Sequence, residues 1–462
     1  MTAKISDAAQ PASPIAVTSL GRASWVLFEW GRNPYVLVIT IYVYATYFSR
    51  DIVGDPVRGQ ALWAAFQGYA GLAVALLAPF LGAIADAGGR RKPWLMFFGS
   101  VLALSTACLW FGLPRGAGIG VFGVGLLVAL GNLGYDGSLV FHGAMLPWLM
   151  PKDRIGRWSG LGYALGNLAG IVLLVFVLVF IYLPERPLFG LDRVTHEHER
   201  ISGPLTATWF VLFSLPFFVF TPDRPASGVR ASAAVRQGLT RVVHTARSLG
   251  HYRNVATYLA ARLIYNDGLN VMLAFGGVYA AGVFHWGEVE TALYGIVLSV
   301  FAALGGLLGG RLADRIGTRR ALLLSVGGTI LAALLLLGFA PDRLFFVIPY
   351  EPGAPAVSLP VFRTAPELFY IGSAALVAVC LVASYANSRA MLSRIAPEAK
   401  MTEFFGLYAL SGEATAFAAP AAVAFATSLS GSQQWGLGPI ILFLAIGFLV
   451  LTFVREERAE AA

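Results

Sequence analysis

The sequence predicts an all-α integral membrane protein of twelve transmembrane helices, arranged as two six-helix halves. Composition, the recurrence of apolar runs and an internal duplication carry that prediction. Hydrophobic residues make up 57% of the 462 and charged residues 13%, against about 25% charged in a soluble protein. Most of this surface is built to face lipid. A bilayer core about 30 Å thick takes about 20 apolar residues as a helix. Twelve such stretches recur, at 24–48, 61–84, 93–113, 119–149, 158–182, 204–221, 254–284, 291–310, 321–340, 367–388, 404–427 and 434–453. Stretches such as Ile171–Leu183 and Ala321–Phe339 are apolar all round, unlike the one-sided helices of a soluble bundle.

In chain order, residues 1–23 are polar, contain Pro11 and Pro14, and are expected to form a disordered cytoplasmic lead rather than a secretory signal. A first six-helix half spans 24–221, a basic linker 222–253, a second half 254–453, and a short tail 454–462. The linker carries six arginines against one acid among Ala, Val and Leu. That pattern suits an amphipathic helix on anionic lipid, and its length leaves no room for a regulatory domain. Cys108 and Cys380 both fall inside apolar stretches and read as small buried side chains, with no disulfide framework or metal site.

Loop charge sets the orientation. With the N-terminus placed inside, the inward segments carry a net +13 and the outward loops −3. An excess of Lys and Arg marks the cytoplasmic side, so both termini are expected there, in the inner membrane of a bacterium. The overall charge of +8 is thereby explained without nucleic acid.

The loop after stretch two reads Gly82-Ala-Ile-Ala-Asp86-Ala-Gly-Gly-Arg90-Arg91-Lys92. The loop after stretch eight reads Gly310-Arg-Leu-Ala-Asp314-Arg315-Ile-Gly317-Thr-Arg319-Arg320. A second echo links Ala144-Met145-Leu146, Pro151 and Gly160-Leu161 to Ala390-Met391-Leu392, Pro397 and Gly406-Leu407. Two echoes in corresponding places indicate halves repeated in parallel, about an axis along the membrane normal. An Asp ending one helix and arginines opening the next can form a charge-assisted lock. If it exists in one conformation, it biases the equilibrium between inward-open and outward-open states. The expected locks pair Asp314 with Arg319, beside Arg315, and Asp86 with Arg90.

The 310–320 segment resembles the signature loop of the major facilitator superfamily, GxLADRxGRR, and that resemblance extends over nearly the whole chain. Three patches resemble the vacuole-effluxer family within it. They are Trp25-x-x-x-Glu29-Trp30-x-x-Asn33-Pro34-Tyr35, Ala274-Phe275-Gly276-Gly277-Val278-Tyr279, and Met401-Thr402-Glu403-Phe404-Phe405-Gly406-Leu407-Tyr408-Ala409. The resemblance implies alternating access and amino-acid efflux. Arg32, where relatives often carry a small polar residue, and Glu413, where a basic one is common, depart from the family pattern.

Six charges fall inside the stretches: Glu29, Arg32, Asp136, Arg262, Asp267 and Glu413. Each costs about 2.5–3.5 kcal/mol at mid-bilayer on insertion scales, so each needs a partner or a wet cavity. Four acids against two arginines leave two carboxylates over, which suits proton coupling. Glu29 and Arg32 can pair at i,i+3. Arg262, Asn266, Asp267 and Asn270 form the densest cluster, near the midplane of stretch seven. Asp136 lies at similar depth in stretch four. His142 is a weaker proton-relay candidate, read first as a hydrogen-bonded structural histidine. His196-Glu197-His198-Glu199 offers metal ligands but reads first as a solvated loop face. Small residues at Gly162, Gly166 and Gly170, and at Gly305, Gly306, Gly309 and Gly310, allow close helix approach.

No HExxH, GxSxG or phosphate-loop motif occurs, so no enzyme chemistry and no cofactor are expected. The expected function is secondary active transport of a small solute by alternating access, as proton-coupled export of an amino-acid-like solute, by a monomer in the bilayer. The alternatives are a sugar–cation symporter and a non-transporting sensor or assembly protein on the same fold.

Overall fold

The computed structural model describes residues 17–457, apart from 183, 185–186, 226, 228–249, 251, 287, 359, 417 and 432. Most of the basic linker, and hence its expected amphipathic helix, therefore lies outside the described residues. All twelve apolar stretches contain helix, and we number them in order. They are α1 (Ser19–Arg32), α2 (Pro56–Gly88), α3 (Lys92–Cys108), α4 (Gly120–Leu149), α5 (Ile155–Val177) and α6 (Ser202–Phe220). The second set is α7 (Arg253–Phe284), α8 (Glu288–Ile316), α9 (Thr318–Leu337), α10 (Ala365–Ile395), α11 (Met401–Glu413 and Ala418–Ser430) and α12 (Gly438–Thr452). A two-stranded hairpin, β1 (Arg343–Leu344) and β2 (Ile348–Pro349), sits between α9 and α10.

Among the described residues, nine helices are long and apolar enough to cross a membrane. The other three stretches are the polar or interrupted ones. The first continues past α1 as π-helical segments, Tyr35–Tyr42 and Phe48–Ile52. Pro34 lacks an N–H and disrupts the regular ladder there, and the chain resumes with a wider turn. α7 is continuous but carries Arg262, Asn266, Asp267 and Asn270. α11 breaks after Glu413 and restarts at Ala418.

Large apolar side chains point outward along the helices, among them Leu72, Phe122, Leu324, Phe425 and Leu449. They form the surface that lipid covers. The interior is held by close approach. α5 uses two faces: Gly162, Gly166 and Gly170 lie against the α1 side (Glu29, Asn33, Leu37), whereas Gly156 and Gly160 lie against α8. A Cβ on Gly160 would collide with the carbonyl oxygen of Gly306, and one on Gly82 of α2 with that of Thr402 on α11. Each glycine lets a helix of the first six meet a helix of the second six backbone to backbone.

Two sequence boundaries are corrected. Residues 19–23, expected in the disordered lead, open α1, capped by Thr18, whose hydroxyl accepts from the Gly21 N–H. Residues 389–403, read as an inward loop, lie largely in helix: α10 runs to Ile395 and α11 starts at Met401. Arg389 and Glu403 are buried at 2% and 1% exposure. Their charges cancel, so the loop count gave no warning.

Candidate functional site

The face carrying residues 86–92, 152–157, 311–320 and 396–400 is the basic face; the opposite one is the distal face. On the basic face the two signature acids do the same job twice. Asp86, at the end of α2, accepts hydrogen bonds from the Thr402 hydroxyl (2.6 Å) and the Glu403 N–H (2.9 Å), at the start of α11. Asp314, at the end of α8, accepts from the N–H groups of Gly156 (2.9 Å) and Arg157 (2.7 Å), at the start of α5. Each acid thus satisfies orphan donors at the N-terminus of a helix in the other six-helix set, where the helix dipole favours negative charge.

The cationic partners differ from those expected. Asp86 pairs with Arg91 at 3.0 Å, and Arg91 also donates to Thr402, while Arg90 is exposed. Asp314 pairs with Arg394 of α10 at 3.1 Å. Arg319 instead donates to the Thr452 carbonyl, and Arg315 is exposed. A second matched pair of caps holds α3 and α9. Asp223, after α6, accepts from the N–H of Arg91 and Lys92; Glu456, after α12, accepts from those of Thr318 and Arg319. Burial alone would raise the Glu456 carboxyl, but the two N–H groups and Arg394 outweigh it and hold it below the usual range.

Deeper lies an ionic layer. Glu29 of α1 pairs with Arg32 (2.5 Å) one turn along, and with Arg389 of α10 (2.5 Å) in the other six-helix set. Arg389 also donates to the hydroxyl and carbonyl of Ser159 on α5, at 3.0 and 2.8 Å, and faces the Tyr163 ring at 4.5 Å. Arg32 donates to Ser138 of α4 and faces Tyr135 at 4.7 Å. His142 of α4 stacks on Trp25 at 4.3 Å, and its Nδ1 lies 3.3 Å from Glu29. Glu29 and Arg32 thus meet as the spacing allowed. Sequence reasoning missed Arg389.

About one helical turn (roughly 6 Å) toward the distal face, a polar aromatic layer follows. Tyr135 donates to Asn33 and Tyr35 to Asn132. Tyr163 of α5 stacks on Tyr385 of α10 at 6.3 Å, and Tyr385 donates to Asn270 of α7 at 2.7 Å. Half-buried Asp136 sits near Tyr35 and Tyr135.

The α7 cluster is brought together in part. Arg262 lies over the Tyr408 ring at 3.4 Å and donates to the Tyr408 carbonyl (2.6 Å) and the Ser411 hydroxyl (2.8 Å). Asn266 donates to Gly412 at 3.3 Å. Arg262 is therefore committed to α11 rather than to Asp267. Asp267 is 1% exposed, and neither carboxyl oxygen has a hydrogen bond of good geometry. The Thr415 hydroxyl, in the break of α11, is the polar group facing it. The Glu413 side chain lies outside the described residues.

On the distal face, His196-Glu197-His198-Glu199 is not the solvated loop expected. It folds into a turn and short helix in which His198 and Glu199 are each 9% exposed. Donor atoms of Asp51, His196 and Glu199 lie within 4.8 Å of one another.

Comparison with known proteins bears on the family and the fold. Residues 51–462 match the family described as vacuole effluxer Atg22 like. An uncharacterized MFS-type transporter, YxiO of Bacillus subtilis, is 25% identical over 440 residues, covering 94% of this chain and 95% of that one. Autophagy-related protein 22 of Cryptococcus neoformans is 22% identical over 308 residues. That match covers 66% of this chain and 51% of the fungal protein, so the chain spans about half its length. The fold is that of the proton:xylose symporter XylE (TM-score 0.68, 13% identity, 96% of this chain and 97% of that one).

Proposed function

The chain belongs to the vacuole effluxer Atg22-like family and is a membrane transporter of the major facilitator type, and from that premise we propose that it exports an amino-acid-like solute in exchange for protons. The observation that carries the reading is the buried Glu29–Arg389 pair. It joins the two six-helix sets directly below a polar layer to which both contribute. Together with the Asp86 and Asp314 caps, it closes the basic face, which loop charge assigns to the cytoplasm of a bacterial inner membrane. Opening that face means breaking these contacts, while the polar layer stays as the solute site.

An amino acid brings one carboxylate and one ammonium. Asp136 and Asp267 supply acids at the level of the layer, and Asn33, Asn270 and the tyrosine hydroxyls supply neutral partners. Asp267 is the coupling-proton candidate. It is buried, with the Thr415 hydroxyl facing it and Arg262 hydrogen-bonded to α11, and a proton bound there is one that solute binding or opening can displace. A sugar is the rival cargo, favoured by the stacked Tyr163–Tyr385 pair.

A thermal-shift panel of the twenty amino acids, dialanine, xylose and glucose tests the assignment on the purified chain. Stabilisation by an amino acid, weakened by Asp267→Asn, is expected. Stabilisation by a sugar alone would replace the cargo, and no effect of Asp267→Asn on a hit would remove that residue from the site.

A further inference from the structure

We propose that His142 is a proton-binding site that competes with Arg389 for Glu29, so that protonation releases α10 from α1 and opens the basic face. The inference deepens the carrier reading above and rests on it.

The imidazole is held from both sides. Its ring lies between Trp25 at 4.3 Å and Phe28 at 4.9 Å, and the residue is 0% exposed. Nε2 stands 2.9 Å from the carbonyl oxygen of Trp25, while the Trp25 indole N–H donates to the His142 carbonyl at 3.1 Å. A carbonyl oxygen only accepts, so Nε2 carries a hydrogen, and the tautomer is set by that contact.

The consequence falls on the other nitrogen. With Nε2 protonated, Nδ1 of a neutral imidazole presents a lone pair. Nδ1 lies 3.3 Å from Glu29 Oε1, also an acceptor. In the neutral ring two lone pairs face each other across a buried contact, and one added proton turns it into a charge-assisted hydrogen bond.

The same oxygen, Glu29 Oε1, receives Arg389 Nη1. One cation comes from α4, in the same six-helix set as Glu29. The other comes from α10, in the opposite set. Glu29 Oε2 is already engaged by Arg32. The charged groups facing His142 are therefore Glu29 and Arg32 from α1 and Arg389 from α10; α6 offers the Phe217 ring at 5.8 Å. Two arginines beside one carboxylate already leave a net positive charge. A third cation is tolerated in this space only when one arginine leaves. Arg389 is the one able to leave, because its helix belongs to the opposite six-helix set, whereas Arg32 shares a helix with Glu29.

The step balances simply. A proton taken from solvent adds to Nδ1; the Nη1–Oε1 hydrogen bond breaks and an Nδ1–H···Oε1 bond replaces it. Loss of that proton toward the basic face reverses the exchange and recloses the contact.

Pulsed electron spin resonance on the full chain in nanodiscs tests this, with Cys108→Ser and Cys380→Ser and labels at Asp153→Cys and Glu398→Cys. These exposed sites flank α4–α5 and α10–α11 across the basic face. Between pH 8 and pH 5, the wild-type background is expected to shift to the longer distance. His142→Gln should lose that shift and stay short at both pH values. Arg389→Gln should be long at both, which keeps the test decisive if His142→Gln does not fold. An undiminished shift in His142→Gln, a pH-dependent Arg389→Gln, or no shift in the background would overturn the proposal. A solute panel without a hit would remove the amino-acid reading and leave this shift standing; a lost shift with a solute hit would do the reverse.

Discussion

At the residue scale, the function of Asp314 and Asp86 follows from where their helices end. Each stands at a boundary between six-helix sets and caps a helix it does not belong to. Replacing Asp314 by Asn keeps the shape but removes the charge from the α5 N-terminus and from Arg394. We expect closure of the basic face to weaken by about 1–2 kcal/mol, read as a longer spin-label distance between Asp153→Cys and Glu398→Cys. An unchanged distance would show that the cap does not hold the closed state. Glu456 gives a pH-dependent companion. Its carboxyl is held below the ordinary value of 4.5, so its stabilisation is complete above that pH and is lost as pH falls through the depressed value. Glu456→Gln should therefore lower the unfolding temperature at pH 7 and converge on the wild type in acid. The six charges within the apolar stretches were legible because each breaks a run. Arg389 was not, because the run around it fades into Ser384, Asn387 and Ser388. A signal was present: Ala390-Met391-Leu392 echoes Ala144-Met145-Leu146, which lies inside stretch four. Aligning the echoes carries stretch ten past Arg389.

At the element scale, glycine spacing separates helices that stay together from those that part. Gly166 and Gly170 seat α5 on α1 within the first set, while Gly160 and Gly306 seat α5 on α8 across the sets. Gly160→Val would drive a side chain into the α8 backbone and is expected to hold the basic face open, raising thiol access there without dissolving the first six helices. Gly166→Val would meet Asn33 instead and should lower the unfolding temperature without favouring either face. Equal behaviour of the two variants would contradict the distinction. The small-residue rows were readable from the sequence, but which neighbour each row meets was not, since spacing fixes a face and not its partner. The break in α11 was also hidden, because Ala414-Thr415-Ala416 reads as ordinary helix and only its tertiary setting opposite Asp267 marks it.

At the whole-molecule scale, the twelve helices and the major-facilitator fold were legible because lipid imposes one rule over the whole length: apolar surface outside and polar groups enclosed. What joins the two sets was not legible, since those contacts bind residues far apart in the chain, as Glu29 and Arg389 do. If the basic face closes by separable contacts, solute passage needs them to part. A crosslink across that face tests it directly. The charged tips of Lys152 and Glu398 approach to 4.0 Å between the α4–α5 and α10–α11 connections, so cysteines at both positions, with Cys108 and Cys380 replaced by Ser, should be bridged by a bifunctional methanethiosulfonate reagent long enough to replace the two side chains. In proteoliposomes loaded with a radiolabelled amino-acid mixture, flux is predicted to stop on crosslinking and return on reduction. Flux that continues at full rate with the crosslink complete would contradict it.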